Sequence, residues 1–79
     1  MERIKEVLEK LEDRYGKRQC IQAMRETLKD LYKLGIRPKW HENFEDEFFV
    51  AVNRFIEKFP SVGEKFVIYS LIARMVKLP

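Results

Sequence analysis

Glycine, serine, threonine and cysteine are all scarce in this 79-residue sequence, which contains three Gly, two Ser, one Thr and one Cys. So little glycine and serine excludes a flexible linker or a low-complexity segment. The single cysteine, Cys20, cannot form a disulfide within the chain. This favours a reducing, intracellular setting.

Long hydrophobic runs are also missing. The longest apolar stretch is interrupted by Arg74 and flanked by Lys65 and Lys77, so it is too short and too polar to span a bilayer. The N-terminal residues Met-Glu-Arg-Ile-Lys-Glu lack the apolar run of a signal peptide. We therefore expect a soluble, cytoplasmic protein with no membrane partner, folded as one domain over residues 1–79.

Charge, in contrast, is abundant. The chain has 16 Lys and Arg against 13 Asp and Glu, a formal net charge of +3. Many Lys, Arg and Glu beside few Asn and Gln resemble the composition of thermophile proteins. Basic residues dominate residues 14–39, and acids cluster in residues 42–47. Such asymmetry is typical of a nucleic-acid-binding face, or of complementary surfaces within one assembly.

Apolar residues recur every three or four positions and predict an all-α fold, a compact bundle of four short helices. Gly16 and Gly35 stand where left-handed glycines end helices, and Ile36 follows as the usual hydrophobic contact. Pro60 stops the third helix. The predicted helices span about residues 2–15, 17–34, 44–59 and 61–78.

Two polar motifs predict where the third and fourth helices begin. Asn43, followed by a run of acids, is typical of an N-cap with a negatively charged first turn. Ser61 and Glu64 match the Ser-x-x-Glu capping box. Trp40, in the loop before the third helix, is expected to pack onto the core as a lid.

The fourth helix is the most apolar. Its polar residues Gly63, Ser70, Arg74 and Lys77 fall on one narrow stripe. The remaining surface is an apolar arc of roughly 240° on a helical wheel. A helix with so wide an apolar arc is normally enclosed by its neighbours, so we expect the C-terminal helix to be the most buried of the four.

The width of this arc also suggests self-association. One antiparallel partner helix cannot cover it, so part of it should stay exposed in a monomer and pair with a second copy. Alternatively, three short helices wrap it completely. The predicted dimer interface consists of Val67, Ile68, Leu71, Met75 and Leu78.

A basic stripe runs along the second helix at helical spacing. It consists of Arg18, Gln22, Arg25, Lys29 and Lys33. Such a stripe can neutralise phosphates along a nucleic-acid backbone. The alternative is an ordinary solvated face, in which the bordering acids Glu26 and Asp30 pair with Lys29 and Lys33.

Residues for catalysis or metal binding are few. Cys20 and His41 are the one conceivable nucleophile and base, but a buried thiol and a solvated loop histidine explain them more simply. No zinc, calcium or phosphate-loop spacing is present. We therefore predict a non-enzymatic interaction module without cofactor or metal that forms a homodimer. The alternative is a nucleic-acid-binding protein that uses the basic stripe.

Overall fold

The computed structural model describes residues 2–38 and 42–77, and this part of the chain forms four α-helices and no strand. The helices are α1 (Glu2–Tyr15), α2 (Lys17–Lys33), α3 (Phe44–Lys58) and α4 (Gly63–Lys77). The all-α prediction is confirmed, with every helix boundary within two residues of the expected one. The predictions for Trp40, His41 and Leu78 lie outside the described residues.

The end of α2 follows the glycine signal in the sequence. Gly35 has a φ of 89°, and its N–H donates to the Tyr32 carbonyl at 3.0 Å. The Ile36 N–H donates to the Leu31 carbonyl, also at 3.0 Å. These two bonds form a Schellman motif, which satisfies carbonyls that the helix end leaves free. Ile36 is consequently buried against the core, as predicted.

The start of α3 also agrees with the sequence. The Asn43 side chain accepts a hydrogen bond from the Glu45 N–H at 2.8 Å and caps the helix. Glu45, Asp46 and Glu47 occupy the first turn, where the helix dipole favours negative charge. The acidic cluster therefore has a structural role at this helix terminus.

The start of α4 corrects the capping-box prediction. The turn after α3 runs through residues 59–62, and helical geometry begins at Gly63, so Ser61 is an exposed turn residue. Val62 takes the N-cap position instead, because its carbonyl accepts the Phe66 N–H at 2.8 Å. The turn after α3 thus places the N-cap one residue later than predicted, at Val62 and not at Ser61, a shift that the Ser-x-x-Glu pattern does not encode.

The α4 backbone passes close to α3 at Gly63. A Cβ atom at this position would lie 2.9 Å from the Ile56 Cα, closer than real Cβ contacts allow. Glycine is therefore required here by the crossing of two helices, not by an unusual backbone angle. In the sequence this residue was only a member of the polar stripe.

All four helices contribute to one hydrophobic core. Its fully buried large side chains include Ile4, Leu31, Phe48, Val52, Val67, Leu71 and Met75. α4 packs against each of the other three helices, most extensively against α2. This arrangement buries one side of α4 completely.

The expectation that α4 is the most buried helix is not confirmed. Its opposite side carries large apolar residues that remain exposed, with Tyr69 at 73% and Val76 at 68% of full exposure. The polar stripe of α4 turns inward instead, since Gly63 and Ser70 are buried and Arg74 is half-buried. The apolar arc is thus divided between the core and solvent.

We expect Gly63→Ala to lower the free energy of unfolding by about 1–3 kcal/mol, because the added methyl group meets backbone that cannot move without displacing α3. Helix propensity alone would favour alanine. Urea denaturation followed by circular dichroism measures the change. Ser61→Ala, at the exposed turn position, is the control and should stay within about 0.5 kcal/mol. Equal stability of the two variants would contradict the role assigned to Gly63.

Candidate interaction surfaces

One side of α4 presents a row of apolar side chains to solvent. Phe66, Tyr69, Ile72 and Val76, which we call the outer face of α4, are 38%, 73%, 42% and 68% exposed. They recur every three or four residues and therefore share one side of the helix. Val62 and Phe59 are also exposed and continue the apolar surface beyond the N-terminal end of α4.

The outer face differs from the dimer interface predicted from the sequence. Val67, Leu71 and Met75 are buried in the core of the single chain, and Ile68 is half-buried. Leu78 lies outside the described residues. This residue set is therefore corrected: α1, α2 and α3 enclose the side of α4 that carries positions 67, 71 and 75, and the opposite side is exposed.

A polar contact with α2 decides which side of α4 faces inward. The hydroxyl groups of Thr27 and Ser70 lie 3.0 Å apart in a hydrogen bond, and both residues are buried. One turn further along α4, the Arg74 guanidinium donates to Glu26 Oε2 at 2.7 Å and to Asp30 Oδ2 at 2.5 Å. We call this set of contacts the polar seam between α2 and α4.

The charges of the polar seam are partly shielded from water. The side chains of Arg74 and Glu26 are each 33% exposed. The hydrogen bond from Arg74 is the main cause that lowers the pKa of Glu26 below its ordinary value of 4.5, and a hydrogen bond with Gln22 acts in the same direction. Glu26 therefore stays ionised and paired at neutral pH.

The N-terminal part of the outer face is supported by aromatic packing. The Phe66 ring lies 5.2 Å from the buried Phe55 ring, which lies 5.2 Å from Phe59. Contacts at these centroid distances hold the rings in defined orientations. This end of the apolar surface is therefore preorganised in the single chain.

The basic stripe of α2 lies at the surface as the sequence indicated. Its members Arg18, Gln22, Arg25, Lys29 and Lys33 are all exposed. The Arg25 guanidinium lies 4.8 Å from the centre of the Phe44 ring of α3. The structure does not show the proposed ion pairs of Glu26 and Asp30 with Lys29 and Lys33. Both carboxylates instead form ion pairs with Arg74 of α4.

Two further arginines lie beside the stripe, and the sequence pattern did not indicate that they belong to this surface. The Arg37 guanidinium lies 5.9 Å from the Tyr32 ring of α2. Arg54 of α3 donates to the Arg37 carbonyl at 3.4 Å, which brings α3 to the same region. Only the tertiary structure brings them together, since Arg37 and Arg54 are 17 positions apart in the chain.

A groove of about 390 Å³ lies between α1, α2 and α3. Its apolar lining includes Leu8, Cys20 and Phe49, and Glu12 and Glu45 stand among its charged residues. Burial, followed by these two carboxylates, raises the pKa of the Cys20 thiol. The thiol is therefore protonated at neutral pH and a poor nucleophile.

Within residues 2–38 and 42–77, no helix combines the length and apolar character needed to cross a membrane. The same residues contain no group of three His, Cys, Asp or Glu side chains placed to hold a metal ion. No family model matches the chain, and comparisons with curated proteins and with solved structures find no match.

The buried hydroxyl pair of the polar seam generates a prediction. Thr27→Val or Ser70→Ala alone leaves the other buried hydroxyl without its partner, so each should lower the free energy of unfolding by about 1–3 kcal/mol. The double variant removes both polar groups and should be less destabilised than the sum of the single variants. Urea denaturation of all four proteins gives the coupling energy. Strictly additive losses would show that the two hydroxyls do not depend on each other.

The ionised partner of Arg74 generates a second prediction. The pKa of Glu26 is lowered in the folded chain, so its stabilising contribution is present above the unfolded pKa and is lost as pH falls through the folded pKa. Acidification from pH 7 to pH 3 should therefore destabilise the wild type more than Glu26→Gln, as measured by urea midpoints. Glu6→Gln, at an exposed site on α1, should behave like the wild type. Parallel pH profiles for wild type and Glu26→Gln would contradict this assignment.

Proposed function

We propose that this protein is a non-enzymatic interaction module that forms a symmetric homodimer through the outer face of α4. The observation that carries the proposal is the exposure of Phe66, Tyr69, Ile72 and Val76 on one side of a single helix. Contiguous apolar surface of this kind usually marks an interaction site on a small protein.

The size of the surface supports a dimer of modest affinity. With Val62 and Phe59 included, the exposed fractions correspond to on the order of 500 Å² of apolar surface, the size of the largest patch on a typical monomer, which is often functional. Two such surfaces would bury about 1,000 Å² in total, near the lower limit of specific interfaces. We therefore expect a dissociation constant in the micromolar range.

The chemistry of the outer face favours a second copy as the occupant. An isologous contact brings the same patch from both chains together, so an apolar patch meets an apolar patch. Among the described residues of α4, Lys65 is the exposed charged side chain, and it lies on the same side of the helix as Tyr69 and Ile72, four and seven residues further on. With so little charge, the patch has no electrostatic pattern suited to a differently charged partner.

The position of Lys65 also favours an antiparallel arrangement of the two α4 helices. A two-fold axis near residue 71 would separate the two Lys65 positions by about 18 Å, at 1.5 Å per residue. This distance exceeds the Debye length of about 8–10 Å near physiological salt, so their repulsion is screened. A parallel arrangement would place the two ammonium groups side by side.

The polar seam supports the proposal from inside the chain. It holds Ser70 and Arg74 against α2, so a rotation of the outer face into the core would break the buried Thr27–Ser70 hydrogen bond and the half-buried contacts of Arg74. The apolar residues are thus held at the surface before association. Preorganisation of this kind lowers the entropy lost on binding.

Sedimentation equilibrium tests the dimer directly. The wild type should show twice the single-chain mass at about 100 μM, well above the expected micromolar dissociation constant. Tyr69→Glu and Val76→Glu should each be monomeric, because they place an unpaired charge in the contact. Both residues are already exposed in the single chain, so thermal unfolding of the variants should still show a cooperative fold.

Asn53→Glu provides the matched control. It adds the same charge at an exposed position of α3, outside the outer face, and should leave the dimer intact. Single-chain mass for the wild type at several hundred micromolar would overturn the proposal. Dimers that survive both α4 substitutions would place the contact elsewhere.

A further inference from the structure

We infer that the basic stripe of α2 binds the phosphate backbone of nucleic acid. We expect this binding to be independent of the base sequence. The inference is independent of dimer formation. Its four cationic members, Arg18, Arg25, Lys29 and Lys33, are exposed along one side of a continuous helix. From position 18 to position 33 they extend over about 22 Å, at 1.5 Å per residue.

The acids that would neutralise the stripe are engaged elsewhere. Glu26 and Asp30 border the stripe on α2, but both carboxylates hydrogen-bond to Arg74. Among the described residues, the ion pairs closer than 4.0 Å are those two contacts of Arg74. None of the four cations of the stripe forms an ion pair closer than 4.0 Å within the described residues, so their charged groups can contact a ligand. Arg74 balances one of the two neighbouring carboxylates, and Glu26 still interacts electrostatically with Lys29.

The charges form a regular row. Arg25, Lys29 and Lys33 follow one another at four-residue intervals, about 6 Å apart along the helix axis. A compact anion would contact one or two of these side chains, whereas a polymer of repeating phosphates can contact all of them. The Arg25 guanidinium is already positioned over the Phe44 ring, so it loses less freedom on binding.

Two residues from outside α2 widen the positive surface. Arg37 lies over the Tyr32 ring, on the side of the stripe that faces α3, and Arg54 contacts the Arg37 carbonyl. Burial, followed by the nearby charge of Glu47, raises the pKa of the Tyr32 hydroxyl, so an acid also lies at this edge. Arg37 and Arg54 extend the basic surface from α2 toward α3, where Glu47 offsets part of their charge.

A membrane surface fits the stripe less well than a nucleic acid. A helix that binds at the lipid interface inserts an apolar face beside its basic one. The apolar residues of α2, including Ala23, Met24, Leu28 and Leu31, are buried in the core instead. The stripe can therefore offer charge to a ligand but no insertable surface.

The salt dependence of binding can be predicted from the number of phosphate contacts. Four phosphate contacts predict that the logarithm of the binding constant falls with the logarithm of salt concentration with a slope of about −3.6 for duplex DNA. Between 50 and 200 mM salt this corresponds to about a 100-fold loss of affinity. Single-stranded DNA should give a shallower slope of about −2.8.

Fluorescence anisotropy with a labelled random duplex measures these slopes on the full chain. The double change Lys29→Ala with Lys33→Ala should reduce the slope to about −1.8, so that affinity falls only about 10-fold over the same salt range. At 50 mM salt the variant should bind more weakly than the wild type. Both side chains are exposed, so the unfolding midpoint should not change.

The matched control removes two exposed cations from α1, Arg3→Ala with Lys10→Ala, and changes the net charge by the same amount. It should retain the wild-type slope. An equal loss in the α1 and α2 variants would overturn the inference, because overall charge would then explain the binding. The monomeric variant Tyr69→Glu should still bind with the wild-type slope per chain, which separates this surface from the dimer contact.

Competition identifies the class of ligand. Unlabelled duplex should displace the labelled duplex, and neither polyglutamate nor vesicles of anionic lipid should do so at equal charge concentration. Displacement by polyglutamate at equal potency would overturn the assignment to nucleic acid and indicate an acidic protein. Displacement by vesicles would indicate a membrane surface. No measurable binding at 100 μM protein in 50 mM salt would overturn the inference altogether.

Discussion

The polar seam between α2 and α4 is the contact on which the rest of the structure depends. Thr27 and Ser70 share a buried hydrogen bond, and Arg74 holds Glu26 and Asp30 one turn further along. An apolar arc as wide as that of α4 could pack against its neighbours in several rotations with similar burial of surface. The seam disfavours other rotations, because they would separate the Thr27 and Ser70 hydroxyls and break the ion pairs of Arg74.

Both proposed surfaces follow from this one contact. By turning Ser70 and Arg74 inward, the seam leaves Phe66, Tyr69, Ile72 and Val76 in solvent. Because Glu26 and Asp30 form their ion pairs with Arg74, the cations of the basic stripe have no direct ion pair within the described part of the chain. The seam thus produces an apolar surface on α4 and a positive surface on α2. Loss of Arg74 would disturb the two surfaces together, even though this residue belongs to neither of them.

Close packing at the α3–α4 crossing sets the position of the outer face along the chain. Gly63 allows the two helices to approach until a Cβ atom would no longer fit against Ile56. The Phe55 ring then packs against Phe66 at the first turn of the outer face. A chain of this size buries a small core and is only marginally stable, so a few such close contacts determine a large share of its architecture.

The sequence by itself determined the features that depend on neighbours along the chain. The four helices, the Asn43 cap, the Schellman motif at Gly35 and the exposed basic side of α2 all follow from local spacing and local hydrogen bonds. Tertiary structure alone decided the features that join distant segments. These are the burial of Val67, Leu71 and Met75, the pairing of Arg74 with α2, and the close contact at Gly63. The physical reason is that helical periodicity shows which residues share a side of α4, but not which side its neighbours cover. On α4, Ser70 and Arg74 of the polar stripe form hydrogen bonds with residues of α2, and the polar side therefore faces inward.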